Sequence, residues 1–292
     1  MSLPSEDEII SKWPRLSPPV VSLLGITYNH ENYISTMLDG FLMQETTFPF
    51  EIVIGEDCST DKTRDVIKSY QEKYPRLIRL VTGPKNIGFA RNFSRALEAC
   101  QGKYIAHCEG DDFWTDPQKL QIQFDFMEQN PEYVMCGHAA SAALSDGVPL
   151  GGKGIKAKEQ SAASLKFSTK LGLGNQTKFW RHVIKKLPPE ALRVTTVDLF
   201  MSSMLGHFGK ARFLDNIKPS VFRIHSTSIW GPLTEKKREK YRIQAYYLMS
   251  LYYAKRLKLL CSLYFFAGAT YVLARRALSD LLAFVRLAKK SA

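Results

Sequence analysis

Cysteine is scarce in this 292-residue chain, and its five copies (Cys58, Cys100, Cys108, Cys136, Cys261) form no C-x-x-C pair and no zinc-site spacing. Scattered, odd-numbered thiols argue against a disulfide framework and for a reduced, cytosolic chain. The N-terminus, MSLPSEDEII, is acidic and lacks an apolar core, so no secretory signal is expected. Long apolar runs are missing too: the uncharged stretch Leu259 to Ala274 has 16 residues, short of the ~20 that cross a bilayer. Acid is nearly absent from the C-terminal stretch. Lys236 to Ala292 holds 13 Lys/Arg against 2 Asp/Glu, which leaves 27 against 26 for residues 1–235 and places almost all of the net +12 in the tail. A uniformly basic nucleic-acid binder would not divide its charge this way, so no nucleic-acid partner is expected.

A hydrophobic content of 45% and a charged content of 23% suit an ordinary globular protein. The first half alternates two periodicities. VVSLLGIT (20–27), EIVIGE (51–56), LIRLV (77–81), KYIAHC (103–108) and YVMCGH (133–138) have strand length and character. Between them lie helical patterns, one with Ile34, Leu38, Phe41 and Leu42 on a face, one capped by Ser59 or Thr60, one over 89–100, and one capped by Thr115 or Asp116 with Pro117 in its first turn. This alternation implies an α/β fold with a mostly parallel central sheet flanked by helices. Ligands bind such sheets beyond the carboxyl ends of the strands, where TYNHEN, GEDCSTD and EGDD all fall. From 138 to 178 the pattern dissolves into Ala, Ser, Gly and Lys, and within it GVPLGGKGIKAKEQSAAS (147–164) reads as a mobile loop.

EGDD (Glu109 to Asp112) sets three carboxylates in four residues at a buried strand's end. They repel one another unless something compensates. A divalent cation bridging to phosphate does so; an acidic turn ahead of a helix is the plainer alternative. Glu56 and Asp57 in GEDCSTD can accept hydrogen bonds from a base or ribose, or belong to an ordinary helix start. Asp198 in TTVDLF is placed for general-base work or for stabilising a helix dipole. His225 in FRIHSTS is either a metal ligand or a hydrogen-bonded core histidine.

The order strand–TYN–helix, strand–GEDCSTD–helix, NIGFARN, strand–EGDDFW, then VDLFMSSMLGHFGKARFLD and VFRIHSTS resembles the family 2 inverting glycosyltransferases of bacterial surface-polysaccharide type, with the Rossmann-like GT-A fold. The likeness covers roughly residues 20–230, leaving an extension at 1–19 and a helical segment at 231–292. It implies that Thr27, Asn29, Glu56, Asp57, Arg91, Glu109 and Asp111 bind the nucleotide-sugar, and that Asp111, Asp112 and His225 hold a divalent cation, Mn²⁺ or Mg²⁺. Asp198 would be the catalytic base. Two positions depart from the family pattern, Glu109 for Asp and Val197 for Glu. They leave room for a nucleotide-sugar-binding module without turnover. The resemblance further implies a UDP-sugar donor and a glycan or lipid-linked glycan acceptor.

The tail mixes aromatic, aliphatic and basic residues (KKREKYR, AYYLMSLYYAKRLK, LLCSLYFFAGATYVLARR). Such composition suits peripheral contact with an anionic membrane, on the inner face of the cell membrane. Helices packed on the main domain, or on a second subunit in a homodimer, are the alternative.

Overall fold

Period-two alternation decides which way each strand's side chains go, and the computed structural model shows the result on β1 (Val21–Thr27). Val21 and Leu23 enter one apolar cluster and Leu24 and Ile26 another, so the sheet has a core on each face. Every residue of β1 and of β2 (Phe50–Glu56) is buried, as expected for strands covered on both sides. At about 1.5–3 kcal/mol per large apolar side chain, these two strands are the main stabilising layer. The structure describes residues 3–14, 18–144, 149–150, 159–167, 173–225 and 234–290.

Strands β3 (Ile78–Val81), β4 (Tyr104–Glu109) and β5 (Tyr133–His138) form where the sequence places them. With β8 (Glu159–Gln160), β9 (Phe179–Arg181) and β10 (Lys210–Leu214) they complete an eight-stranded sheet, ordered β3-β2-β1-β4-β9-β5-β10-β8. The β3-β2-β1-β4 half is parallel, as is the β5–β10 pair. β9 runs antiparallel between β4 and β5. A second, small sheet joins β6 (Ala140–Leu144), β7 (Pro149–Leu150) and β11 (Ser220–Ile224).

Helix α1 (Glu6–Ile10) is tied down by Glu6, which takes the backbone N–H and the guanidinium of Arg76 at 2.7 and 2.8 Å. Helices α2 (Ile34–Leu42), α3 (Thr63–Lys73) and α5 (Lys119–Gln129) cover one face of the large sheet. On the other face lie α4 (Phe89–Ala99), α7 (Val197–Leu205), α8 (Glu235–Ala254) and α9 (Leu259–Lys290). The short α6 (Ala162–Lys166) packs beside α7. Tyr246, Met249, Tyr253, Phe265 and Val272 of α8 and α9 share the core of α4 and α7, so the tail is a helix pair packed on the main domain. No described helix is long and apolar enough to cross a membrane.

Three local expectations are corrected. Ser59 and Thr60 do not cap α3. Ser59 Oγ accepts from Asn29 N–H, and the Thr60 N–H donates to Asn29 Oδ1, so they lock two loops together. Asp116 and Pro117 precede α5 by a turn, and Asp116 also accepts the Lys218 N–H. The stretch 147–164 is not all loop: β7, β8 and the start of α6 fall within it, and β6 and a 3-10 turn at Asn175–Thr177 flank it. The glycine-rich 151–158, Ser226 to Ser228 of the VFRIHSTS motif, and the 230/231 boundary lie outside the described residues.

Candidate active site

Strand register brings the polar loops together. Thr27 pairs with Glu56 across β1 and β2, and Ile26 pairs with Glu109 across β1 and β4. TYNHEN, GEDCSTD and EGDD therefore leave the sheet side by side. They open onto a cleft of about 300 Å³ whose lining includes Thr27, His30, Asp57, Asn92, Asp111 and Asp198. Gly110 lets β4 turn under this wall: a Cβ there would lie 2.6 Å from Thr27 Oγ1 and 2.8 Å from His30 Nδ1.

The three carboxylates of EGDD take different partners, and the repulsion that remains between them falls on Glu109 and Asp112. Glu109 accepts from Asn175 Nδ2 at 3.1 Å. Burial, reinforced by the Asp111 charge, pushes its carboxyl up to about 7. Asp112 is buried and accepts the Arg223 N–H at 3.0 Å; burial holds it well above the usual carboxylate range. Asp111 faces two imidazoles. His225 Nε2 lies 3.0 Å from its Oδ2 and His30 Nε2 lies 3.9 Å away. Burial would raise the Asp111 carboxyl, but the His225 hydrogen bond and the His30 charge outweigh it and lower it. His225 arrives because β11 is pinned to the EGDDFW segment by reciprocal Phe113–Val221 backbone hydrogen bonds of 3.2 and 2.9 Å.

His30, Asp111 and His225 each offer a ligand atom, all within 4.8 Å of one another. Asp111 Oδ1 is buried with no hydrogen-bond partner among the described residues. A buried carboxylate with one oxygen facing two imidazoles and the other unpartnered is a donor set that a cation completes, so these residues fit a divalent ion.

Several residues named from sequence stand elsewhere. Asp112 is outside this cluster, because its oxygen is committed to the β11 backbone. Glu56 is fully buried and takes Ser59 N–H, Arg64 Nε and Thr82 Oγ1 at 2.5, 2.7 and 2.7 Å; it braces the loop instead of lining the cleft. Asn29, in the left-handed region at φ 55°, likewise spends its side chain on Thr60. Arg91 is exposed on the outer side of α4, while Phe89 and Asn92 line the cleft. Thr27, Asp57, Glu109, Asp111 and Asp198 do line it. Asp57 also accepts the Ile87 and Gly88 N–H groups at 2.9 and 2.8 Å, shaping the rim. Sequence reasoning missed His30, although TYNHEN marks a polar strand end. It also missed Asn175, whose Oδ1 accepts from the buried Lys178 amine at 2.6 Å.

Residues 22–158 match the family model described as Glycosyl transferase family 2. Over this segment, just under half of the chain, the sequence is similar to that family. An uncharacterised protein of Mycobacterium tuberculosis is 44% identical over 127 residues, 44% of this chain and 37% of the relative. The Bacillus subtilis protein TuaG, named for teichuronic acid biosynthesis, is 37% identical over 133 residues, 45% of this chain and 51% of TuaG. The matches thus span between a third and a half of these relatives' length. Among solved structures, Staphylococcus aureus TarS 1–349 with UDP-GlcNAc is similar at a TM-score of 0.60 and 15% identity, covering 78% of this chain and 66% of TarS 1–349. The mannosyltransferase PcManGT of Pyrobaculum calidifontis, solved with GDP-Man and Mn²⁺, has a TM-score of 0.55 and 16% identity, covering 93% of this chain and 81% of PcManGT. Identities this low establish a GT-A-like fold alone.

Proposed function

We propose that the protein transfers a glycosyl group, with inversion, from a nucleotide-sugar to a hydroxyl of a glycan or lipid-linked glycan. The observation that carries this reading is the position of Asp198. It opens α7 on the wall between the cleft that holds Asp57, Asn92 and Asp111 and a second cleft outside it. A carboxylate at that junction accepts the proton of an acceptor hydroxyl as its oxygen attacks the anomeric carbon. The new C–O bond forms as the bond to the diphosphate breaks, and the nucleoside diphosphate leaves. Asp57 orients the donor. His30, Asp111 and His225 would hold a divalent ion, whose positive charge would stabilise a leaving diphosphate. Two imidazoles and one carboxylate suit Mn²⁺ better than Mg²⁺, which favours oxygen ligands. UDP-sugars are the first donors to test.

Thermal unfolding with UDP, GDP, dTDP and CMP, each with Mn²⁺ or Mg²⁺, tests donor binding. One nucleotide should stabilise the protein, more with Mn²⁺. Asp198→Asn should keep that shift and lose transfer. A shift without turnover in the wild type would leave a binding module, and no shift at all would refute the reading.

We also propose that the protein sits peripherally on the cytoplasmic face of an anionic membrane. While Cys261, Phe265, Ala269 and Val272 of α9 pack inward, Leu259, Leu260, Leu263, Phe266, Tyr271 and Leu273 are exposed. Lys255, Arg256 and Lys258 flank this surface at one end and Arg275 and Arg276 near the other. A second copy would set two basic tails against each other; anionic lipid complements them. Vesicles with phosphatidylglycerol should bind the protein and phosphatidylcholine vesicles should not, with Leu263→Asp/Phe266→Asp abolishing binding. Equal binding to both lipids, or a stable dimer that buries the surface, would refute this placement.

A further inference from the structure

The second cleft is larger than the donor cleft, about 510 Å³, and shares Glu109, Asn175, Asp198 and Phe222 with it. Its far wall is different in kind: Arg238 and Arg242 of α8 line it. Four residues apart on a helix, they share a face, separated by about 6 Å of rise. Arg238 also lies in the first turn of α8, where the helix dipole adds positive potential. The carboxylates that line the cleft are Glu109, Asp112 and Asp198. Glu109 is bonded to Asn175 and Asp112 to the β11 backbone, and Glu109 and Asp198 belong to the wall shared with the donor cleft. The cleft is therefore polarised, with carboxylates where the hydroxyl reacts and guanidinium groups at the other end.

We propose that this cleft seats an acceptor saccharide carrying an anionic group, a carboxylate or a phosphate, that pairs with Arg238 and Arg242. The inference rests on the glycosyltransferase reading and names its acceptor class. Guanidinium groups bind carboxylate and phosphate through paired, charge-assisted hydrogen bonds, whereas a neutral glycan offers them only hydroxyls. The same pairing sets orientation: with the charge held at α8, a hydroxyl elsewhere on the acceptor is directed to Asp198.

Calorimetric titration of the wild-type protein with methyl glucuronide, methyl glucoside 6-phosphate and methyl glucoside, at 50 and 300 mM salt, tests this. One or both charged probes should bind at least about ten-fold tighter than the neutral one, and the preferred probe identifies the anion. The advantage should shrink at high salt. Arg242→Gln, and the double variant Arg238→Gln/Arg242→Gln, should lower charged-probe binding to the neutral level; the metal-dependent nucleotide shift reports that each variant is folded. Equal binding of all three probes by the wild type, or an unchanged preference in a folded double variant, would overturn the inference. A nucleotide shift with equal probe binding counts against this proposal alone. Charged-probe preference without any nucleotide shift counts against the donor reading alone.

Discussion

Asp111→Asn separates two assignments of the EGDD cluster, because Asp111 and Asp112 are adjacent in sequence but committed to different partners. Asparagine keeps the volume of either side chain and can still accept a hydrogen bond, so both variants should fold. Asp112→Asn can go on accepting the Arg223 N–H. Asp111→Asn loses the charge between His30 and His225. A ligand that binds the folded state at about 100 times its dissociation constant adds ~2.7 kcal/mol. For a chain of this size roughly 2 °C accompanies each kcal/mol, so wild type with saturating Mn²⁺ and its nucleotide should melt about 5 °C higher. In Asp111→Asn that increment should vanish, and in His30→Gln it should fall by more than half. Asp112→Asn should retain it. Without metal, Asp111→Asn should move stability by about 1–3 kcal/mol at most, the worth of a hydrogen bond to a charged group. Scanning calorimetry on the four proteins, with and without Mn²⁺, is the assay. A full metal-dependent increment in Asp111→Asn, or its loss in Asp112→Asn alone, would refute the ligand set.

Lys119 carries a pH prediction. Its amine is buried over the Trp114 ring at 3.9 Å and donates to Gln123 Oε1 at 2.6 Å, and burial lowers it from 10.5 to about 7. Between those values the unfolded chain binds a proton that the fold excludes, so stability should rise with pH, by about 3 kcal/mol from pH 7 to 9.5. Urea unfolding at both pH values should show the rise in wild type and its absence in Lys119→Met; equal slopes would contradict it. Gly110→Ala should push His30 off the cluster, costing about 1–3 kcal/mol and the metal-dependent shift together. A Gly110→Ala protein with wild-type Mn²⁺ affinity would show that the backbone yields instead.

The strands that carry the site were legible because β1, β2 and β4 are continuous apolar runs that end in polar clusters, and a parallel sheet lines up such ends. What each polar residue does was less legible. Glu56 and Asp57 are the same kind of neighbour in sequence, yet only Asp57 reaches the cleft, since β2 ends with Glu56 buried against Arg64 and Thr82. Asn29 and Arg91 are directed by the same kind of local constraint, a loop lock and a helix face. His30 is 81 positions from Asp111, and only the β1–β4 register joins them. β9 escaped notice because three residues, FWR, carry no readable period.

That three-residue strand also has a consequence for how the chain comes together. β4 and β5 are made early, but each keeps an unpaired, buried-type edge until residues 179–181 slot between them. Arg181 then closes the seam, donating to the Tyr133 and Met127 carbonyls and the Tyr104 hydroxyl at 2.8, 2.6 and 2.8 Å. During synthesis the nascent chain therefore passes through an interval with two sticky edges and no plug, when edge-to-edge aggregation competes with folding. The same late strand follows directly on Asn175 and Lys178, so closing the seam is also what delivers Asn175 to Glu109, with the Lys178 amine donating to Asn175. A chain that stops before residue 179 lacks the strand that joins β4 to β5 and has no finished site.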